Sequence, residues 1–297
     1  LQNLEDTSLY PKYPNGDLSE SNPNYPFVDS SITDYQFKQE AQRFAPLQEF
    51  WNVLAYDDFN SLKSQEKLFV MHPFKQEIIK PSQLAIPIEN LMHLNHKGTT
   101  NHLNKISGQT NNTQSWQHHM TTDKLQNLIS QINSGDTSNK FPQNFVIKTP
   151  FSAAGDGVCI FNIQENKTTS LDNLLQLIKR SNNRGNNDFL LESFVSGTDL
   201  SLQGFISKSG ETFYVGNGIQ QIGSNGEYDG LLVSKNNPTQ QYISILSNVG
   251  SYAHSKGFFG FFGLDLKETN SGQLHIIDPN FRPTDGTPKY LKQLGVL

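Results

Sequence analysis

Gly263-Leu-Asp-Leu-Lys-Glu-Thr-Asn-Ser-Gly-Gln-Leu-His-Ile-Ile-Asp-Pro-Asn-Phe-Arg282 decides the reading of this chain. Two apolar runs, Gly263–Lys267 and Gln273–Asn280, flank Thr269-Asn-Ser-Gly272, which has the composition of a hairpin loop. The runs carry Asp265 on one strand and Asp278 and Asn280 on the other. Asp278 and Asn280 are two apart on an extended segment, so both project from one side. Three hard oxygen donors on neighbouring strands suit magnesium, which takes one or two carboxylates and completes its shell with phosphate oxygens. Arg282 follows directly, and its fork suits a carboxylate or phosphoryl oxygen.

Upstream, Val146-Ile-Lys148 ends a strand and leads into Thr-Pro-Phe-Ser-Ala-Ala-Gly-Asp-Gly157. Small residues let backbone N–H groups approach an anion closely, and the lysine adds a mobile point charge. It is not a Walker loop, because the lysine precedes the glycines. Leu190-Leu-Glu-Ser-Phe-Val-Ser-Gly-Thr-Asp199 is an apolar strand that carries Glu192, turns at Gly197 and reaches Asp199. Two such acids could accept from an adenine amine and a ribose, with the backbone at Phe194 and Val195 between them.

The order of these elements resembles the ATP-grasp superfamily over roughly residues 140–290. The resemblance implies an α+β fold in which two subdomains clasp ATP. The expected division is an extended arm over 1–30, a partial N-terminal α/β segment over 31–95 and an ATP-grasp domain over 96–297. Within that domain, a small lid subdomain is expected at about 121–188 and a large one at about 189–297. By this resemblance Lys148 binds phosphate, and Ser152, Ala153, Ala154, Gly155 and Gly157 belong to the lid loop over the phosphates. Glu192 accepts from the adenine amine, Phe194 and Val195 read the adenine edge, and Asp199 accepts from the ribose. Asp265, Asp278 and Asn280 bind Mg2+, with Mn2+ as a substitute. Lys97 is the first choice for the second nucleotide lysine and Lys105 the next.

The implied activity is ATP-dependent, ADP-forming ligation of a carboxylate to an amine through an acylphosphate. Lys148 and Arg282 then offset charge on the transferring group. The rival readings are an ATP-binding module without catalysis, a carboxylase or a phosphotransferase. The sequence departs from the family in having Asp278 where Glu is commoner, and in lacking an arginine shortly before Asp265.

The remaining pattern frames this site. Helices are expected at 34–56, Asp123–Ile132, around Leu171, Leu174, Leu175 and Ile178, and at 241–256. Strands are expected at Lys67–Met71, at Leu84–Ile88, and at Gly157–Ile163, Phe189–Phe194, Leu200–Ser207 and Thr212–Val215. The polar segment 95–120 reads as loop or irregular helix. Its histidines lack the spacing of a known zinc motif. Residues 217–230, with Gly218, Gly223, Gly226, Tyr228 and Gly230, read as a flexible loop on the acceptor side.

A net charge of -5 gives no broad electrostatic footprint for nucleic acid. Nothing approaches the roughly 20 apolar residues of a membrane span. The resemblance implies small-molecule carboxylates and amines as partners, and neither nucleic acid nor membrane is expected. With no secretory leader visible, a cytoplasmic location is expected, although the chain opens at Leu1 and a removed leader stays open. A single cysteine, Cys159 in an apolar strand, excludes an internal disulfide and reads as core.

Overall fold

A computed structural model describes residues 84–109, 117–134, 144–151, 157–162, 167–183, 187–223 and 228–296. The expected arm over 1–30, the helix at 34–56, the strand Lys67–Met71 and lid-loop residues 152–155 lie outside the described residues.

The smaller of two layers is a four-stranded sheet of β1 (Gln117–Thr121), β2 (Asn144–Lys148), β3 (Val158–Asn162) and β4 (Asp188–Ser193), in the order β1-β4-β2-β3. Every pairing in it is antiparallel. Two helices complete the small core, numbered here after the two that precede β1: α3 (Thr122–Ser134) and α4 (Lys167–Asn183). Leu125, Leu128, Ile129 and Ile132 of α3 are buried, as their helical spacing demands. On α4 the buried stripe is Leu174, Leu177 and Ile178, whereas Leu175 is turned to solvent. Cys159 is packed in this core, and burial pushes its thiol up to about 11, so it is a filler rather than a nucleophile. The sheet takes in β4, so this layer ends at Ser193, not at the boundary near 188 that the sequence suggests. The reason is pairing: β4 is hydrogen-bonded to β1 on one side and β2 on the other.

The larger layer is an antiparallel sheet of β5 (Thr198–Ile206), β6 (Thr212–Ile222), β7 (Tyr228–Val233), β8 (Gly260–Glu268) and β9 (Leu274–Asn280), ordered β7-β6-β5-β8-β9. One face buries Leu200, Leu202, Leu264, Leu266 and Ile276 under α5 (Gln240–Ser255). Thr239 caps that helix through its hydroxyl, which accepts from the Tyr242 N–H at 3.2 Å. Its last turn closes at Gly257, whose φ of 78° suits glycine. The other face is covered in part by α6 (Gly286–Gln293), with Tyr290 against Val215 and its neighbours.

Two expectations change here. First, residues 88–106 are ordered as α1 (Ile88–Asn95), a 3-10 turn (Lys97–Thr99) and α2 (Thr100–Ile106), and Leu91, Leu94 and Leu103 join the core of the larger sheet. Helix α1 starts where a strand end was expected, α2 falls where loop or poorly ordered helix was expected, and β1 is a strand that the reading of 95–120 did not include. The polar residues that suggested a loop bond to backbone instead. Asn104 donates to the Ile276 carbonyl at 2.9 Å and accepts from the Ile276 N–H at 2.8 Å, and Asn95 accepts from the Phe281 N–H at 2.8 Å. These side chains satisfy the open edge of β9, which a sheet edge otherwise leaves unpaired. Second, the glycine-rich stretch 217–230 is mostly strand. Gly218 packs against Leu231 and Leu232 and Gly230 against Gln221, as the neighbouring Gly216 does under the Tyr290 ring, which occupies the space a Cβ would need. Among the described residues no helix is long and apolar enough to cross a membrane.

Gly216→Ala should destabilise the protein by about 1–3 kcal/mol, because it overpacks a fully buried tyrosine. Urea unfolding at an unchanged slope checks this; an unchanged midpoint would mean that α6 yields freely.

Candidate nucleotide and metal site

The register of β8 and β9 sets the centre of the site. Asp265 stands opposite Asp278, and Gly263 opposite Asn280, so the three oxygen-bearing side chains share one face. Asn280 Nδ2 donates to Asp265 Oδ2 at 3.3 Å. Arg282 turns back along the strand and donates to Asn280 Oδ1 at 3.1 Å. Gln220, on β6, donates to Asp265 Oδ1 at 2.6 Å.

Two lysines arrive from elsewhere. Lys97, buried at the start of the 3-10 turn, lies 2.8 Å from Asp278 Oδ2. Lys148, at the end of β2, lies 2.8 Å from Glu192 Oε2 and donates to the Ile277 carbonyl at 2.7 Å. Lys148 thus joins the smaller sheet to the edge strand of the larger one. The Lys97 N–H donates to the Pro150 carbonyl at 3.0 Å, which ties its turn to the start of the small-residue loop. Gly157 closes that loop, its carbonyl accepting from the Thr149 N–H at 2.8 Å. Lys105 is exposed on α2, whereas Lys97 pairs with Asp278.

Glu192 is buried on β4, and Phe194 and Val195 follow in the stretch that joins the two sheets. Asp199 stands at the start of β5, opposite Lys267, and pairs with it at 2.6 Å. The sequence reading missed Gln220 and Lys267. Only strand register could have found them, since each acts on an acid far away in the chain.

The electrostatics are those of two acids forced together. Burial and the neighbouring Asp278 raise Asp265 well above the usual carboxylate range, while the Gln220 hydrogen bond, Lys97 and Arg282 pull it back. A divalent cation between the acids would remove that repulsion. Among the described residues no group of three or more His, Cys, Asp or Glu could hold a metal ion by itself. Two carboxylates and an amide make a partial oxygen set, which fits magnesium completed by phosphate oxygens rather than a closed protein cage.

His93 and His96 do structural work. His93 Nε2 pairs with the Tyr252 hydroxyl at 2.7 Å, and His96 Nδ1 accepts from the Gly98 N–H at 2.9 Å, shaping the turn that carries Lys97.

An α+β chain whose two antiparallel sheets bring a lysine pair, a buried hinge glutamate and an Asp, Asp-x-Asn cluster to one place has the ATP-grasp fold. Residues 124–280, more than half of the chain, match the family described as L-aspartate–L-methionine ligase, ATP grasp, and the chain belongs to that family. No curated protein sequence matches it. The solved L-amino acid ligase from Bacillus licheniformis is similar, with TM-score 0.50 and 15% identity over 69% of this chain and 47% of that one. So is N5-carboxyaminoimidazole synthetase from Staphylococcus aureus, complexed with ADP, with TM-score 0.54 and 14% identity over 80% and 61%. The D-cycloserine synthetase DcsG has TM-score 0.52 and 12% identity over 88% and 94%. At these identities the likeness concerns the fold. The chain spans about half to three fifths of the first two proteins.

His93 and His96 should make stability pH-dependent. Burial is the main cause that lowers them from 6.5 to about 4 and about 3. Both are neutral in the folded chain, so their contribution is complete above about pH 6.5 and is lost as pH falls towards those lowered values. The melting temperature should therefore decline between pH 6.5 and 5. His96→Asn, which keeps an acceptor near the Gly98 N–H, should flatten the decline; an unaltered slope would remove His96 as its source.

Proposed function

We propose that this chain forms the ATP-binding part of an ATP- and magnesium-dependent, ADP-forming ligase that joins a carboxylate to an amine, with amino acids as the substrate class. The observation that carries this reading is the cross-strand pair Asp265 and Asp278, flanked by Asn280 and met by Lys97 and Lys148 from two other elements. The family description, L-aspartate–L-methionine ligase, makes those two amino acids the first substrates to try.

Asp265, Asp278 and Asn280 would hold Mg2+, for which Mn2+ could substitute. Lys97 and Lys148 would meet the phosphates, exchanging their present carboxylate partners for phosphate oxygens. Residues Ser152, Ala153, Ala154, Gly155 and Gly157 would cover the phosphates with backbone N–H groups. Glu192, buried on β4 and paired with Lys148, would accept from the adenine amine. The backbone at Phe194 and Val195 would read the adenine edge, and Asp199, steadied by Lys267, would accept from the ribose. Bound there, ATP supplies the γ-phosphoryl group that turns a substrate carboxylate into an acylphosphate, which an amine then attacks with loss of phosphate. Arg282 would offset the negative charge that builds on the transferring group, as its fork is built to do. No protein nucleophile is required. Positioning and charge neutralisation provide the rate.

ADP release from ATP and Mg2+ in the presence of L-aspartate, L-methionine and a panel of other amino acids tests the reading. Release should depend on the amino acids, and Asp278→Ala/Asn280→Ala should lower it by about 100-fold or more, since metal stabilisation is worth several kcal/mol. ATP that protects the chain against heating without ADP release would favour the binding-module alternative. Release that survives the double substitution would overturn the metal assignment.

A further inference from the structure

Gln220 lies on β6, two strands from Asp265 in the sheet. The register sets Gly218 beside Ser201, and Ser201 beside Asp265, so the three share one face. Gln220, two residues beyond Gly218, projects from that same face. Ser201 stands between the two strands with only a short side chain. Past it, Gln220 Nε2 reaches diagonally to Asp265 Oδ1 and closes a 2.6 Å hydrogen bond. The other oxygen, Oδ2, faces Asn280 Nδ2 at 3.3 Å. The two carboxylate oxygens are thus divided: Oδ1 towards β6 and Oδ2 towards the donor group on β9.

That division has a consequence for any ion held there. A carboxylate swings about its own torsions, and a terminal sp3–sp2 torsion is soft. With Oδ1 gripped by Gln220 at 2.6 Å, the carboxylate plane is set, and Oδ2, which accepts the longer 3.3 Å bond from Asn280, is the oxygen an ion would take. Partners of this kind, one shell out from a metal, set ligand orientation and commonly alter metal affinity by about 10- to 100-fold.

We propose that Gln220 is a positioning residue for the metal site: it holds Asp265 Oδ1 so that Oδ2 points at the cation shared with Asp278 and Asn280. This rests on the metal-dependent reading above. The same hairpin braces the arginine as well. β6 pairs with β7, and Tyr228, the first residue of β7, donates to Asp285 Oδ2 at 3.2 Å in the turn that follows Arg282. One pair of strands therefore grips both the metal acid and the arginine loop.

Mn2+ binding to the ADP-loaded protein, followed by the EPR signal of free Mn2+, tests the proposal in wild type, Gln220→Met, Gln220→Asn and Asp265→Asn. Gln220→Met keeps the length and removes the donor. Gln220→Asn keeps the amide but falls one methylene short. Each should weaken Mn2+ binding by about tenfold or more, with ADP affinity in the absence of metal and the ligand-free melting temperature unchanged. Should Gln220→Met melt early, Gln220→Asn decides the matter. Wild-type Mn2+ affinity in the Gln220 variants, together with its loss in Asp265→Asn, would overturn the role of Gln220 and leave the metal reading standing. Wild-type Mn2+ affinity in Asp265→Asn would overturn the metal reading and this role with it.

Discussion

Asp265 and Asp278 face each other across β8 and β9, and most of the surrounding structure answers that one juxtaposition. Like charges directly opposite on paired strands are destabilising. Burial and the facing Asp278 together raise Asp265 well above the usual carboxylate range. The chain meets the repulsion with Lys97 on Asp278, Gln220 and Asn280 on Asp265, and Arg282 behind Asn280. These groups come from the 3-10 turn, β6, β9 and the segment after β9, so the acids gather four parts of the fold around themselves.

β9 is held still enough for this by an unusual edge. A strand at the end of a sheet leaves backbone groups unpaired on one side. Here Asn104 takes both the N–H and the carbonyl of Ile276, Lys148 takes the carbonyl of Ile277, and Asn95 takes the N–H of Phe281. Each bond lies within a few residues of Asp278 or Asn280. Helices α1 and α2, which supply the asparagines, are anchored in turn by Leu91, Leu94 and Leu103 in the core of the larger sheet.

The two sheets keep separate hydrophobic cores and are joined by the short stretch after Ser193. Between them run the Lys148 contact to Ile277 and the contact of the Lys97 N–H with Pro150. Packed cores resist deformation, whereas a few polar bonds exchange partners readily. The Lys148 side chain makes one of these contacts and the Lys97 backbone the other, while the Lys97 side chain is left to Asp278.

Much of this was legible in the sequence, because the relevant signals are local. Two-residue spacing put Asp278 and Asn280 on one side, helical spacing gave α3, and Thr269–Gly272 announced the β8–β9 hairpin. The order of lysine, hinge acid and Asp, Asp-x-Asn cluster pointed to the fold without any structure. What failed was whatever depended on a distant partner. The polar segment from 95 read as loop or poorly ordered helix because its asparagines spend their hydrogen bonds on β9, some 170 residues away, rather than locally. Leu175 and Leu177 could not be told apart until α4 was laid on its sheet. Gln220 and Lys267 carry no motif at all. Residue spacing along one strand or helix determined which groups could share a face, but only sheet register, set by the packing of whole layers, decided which faces met.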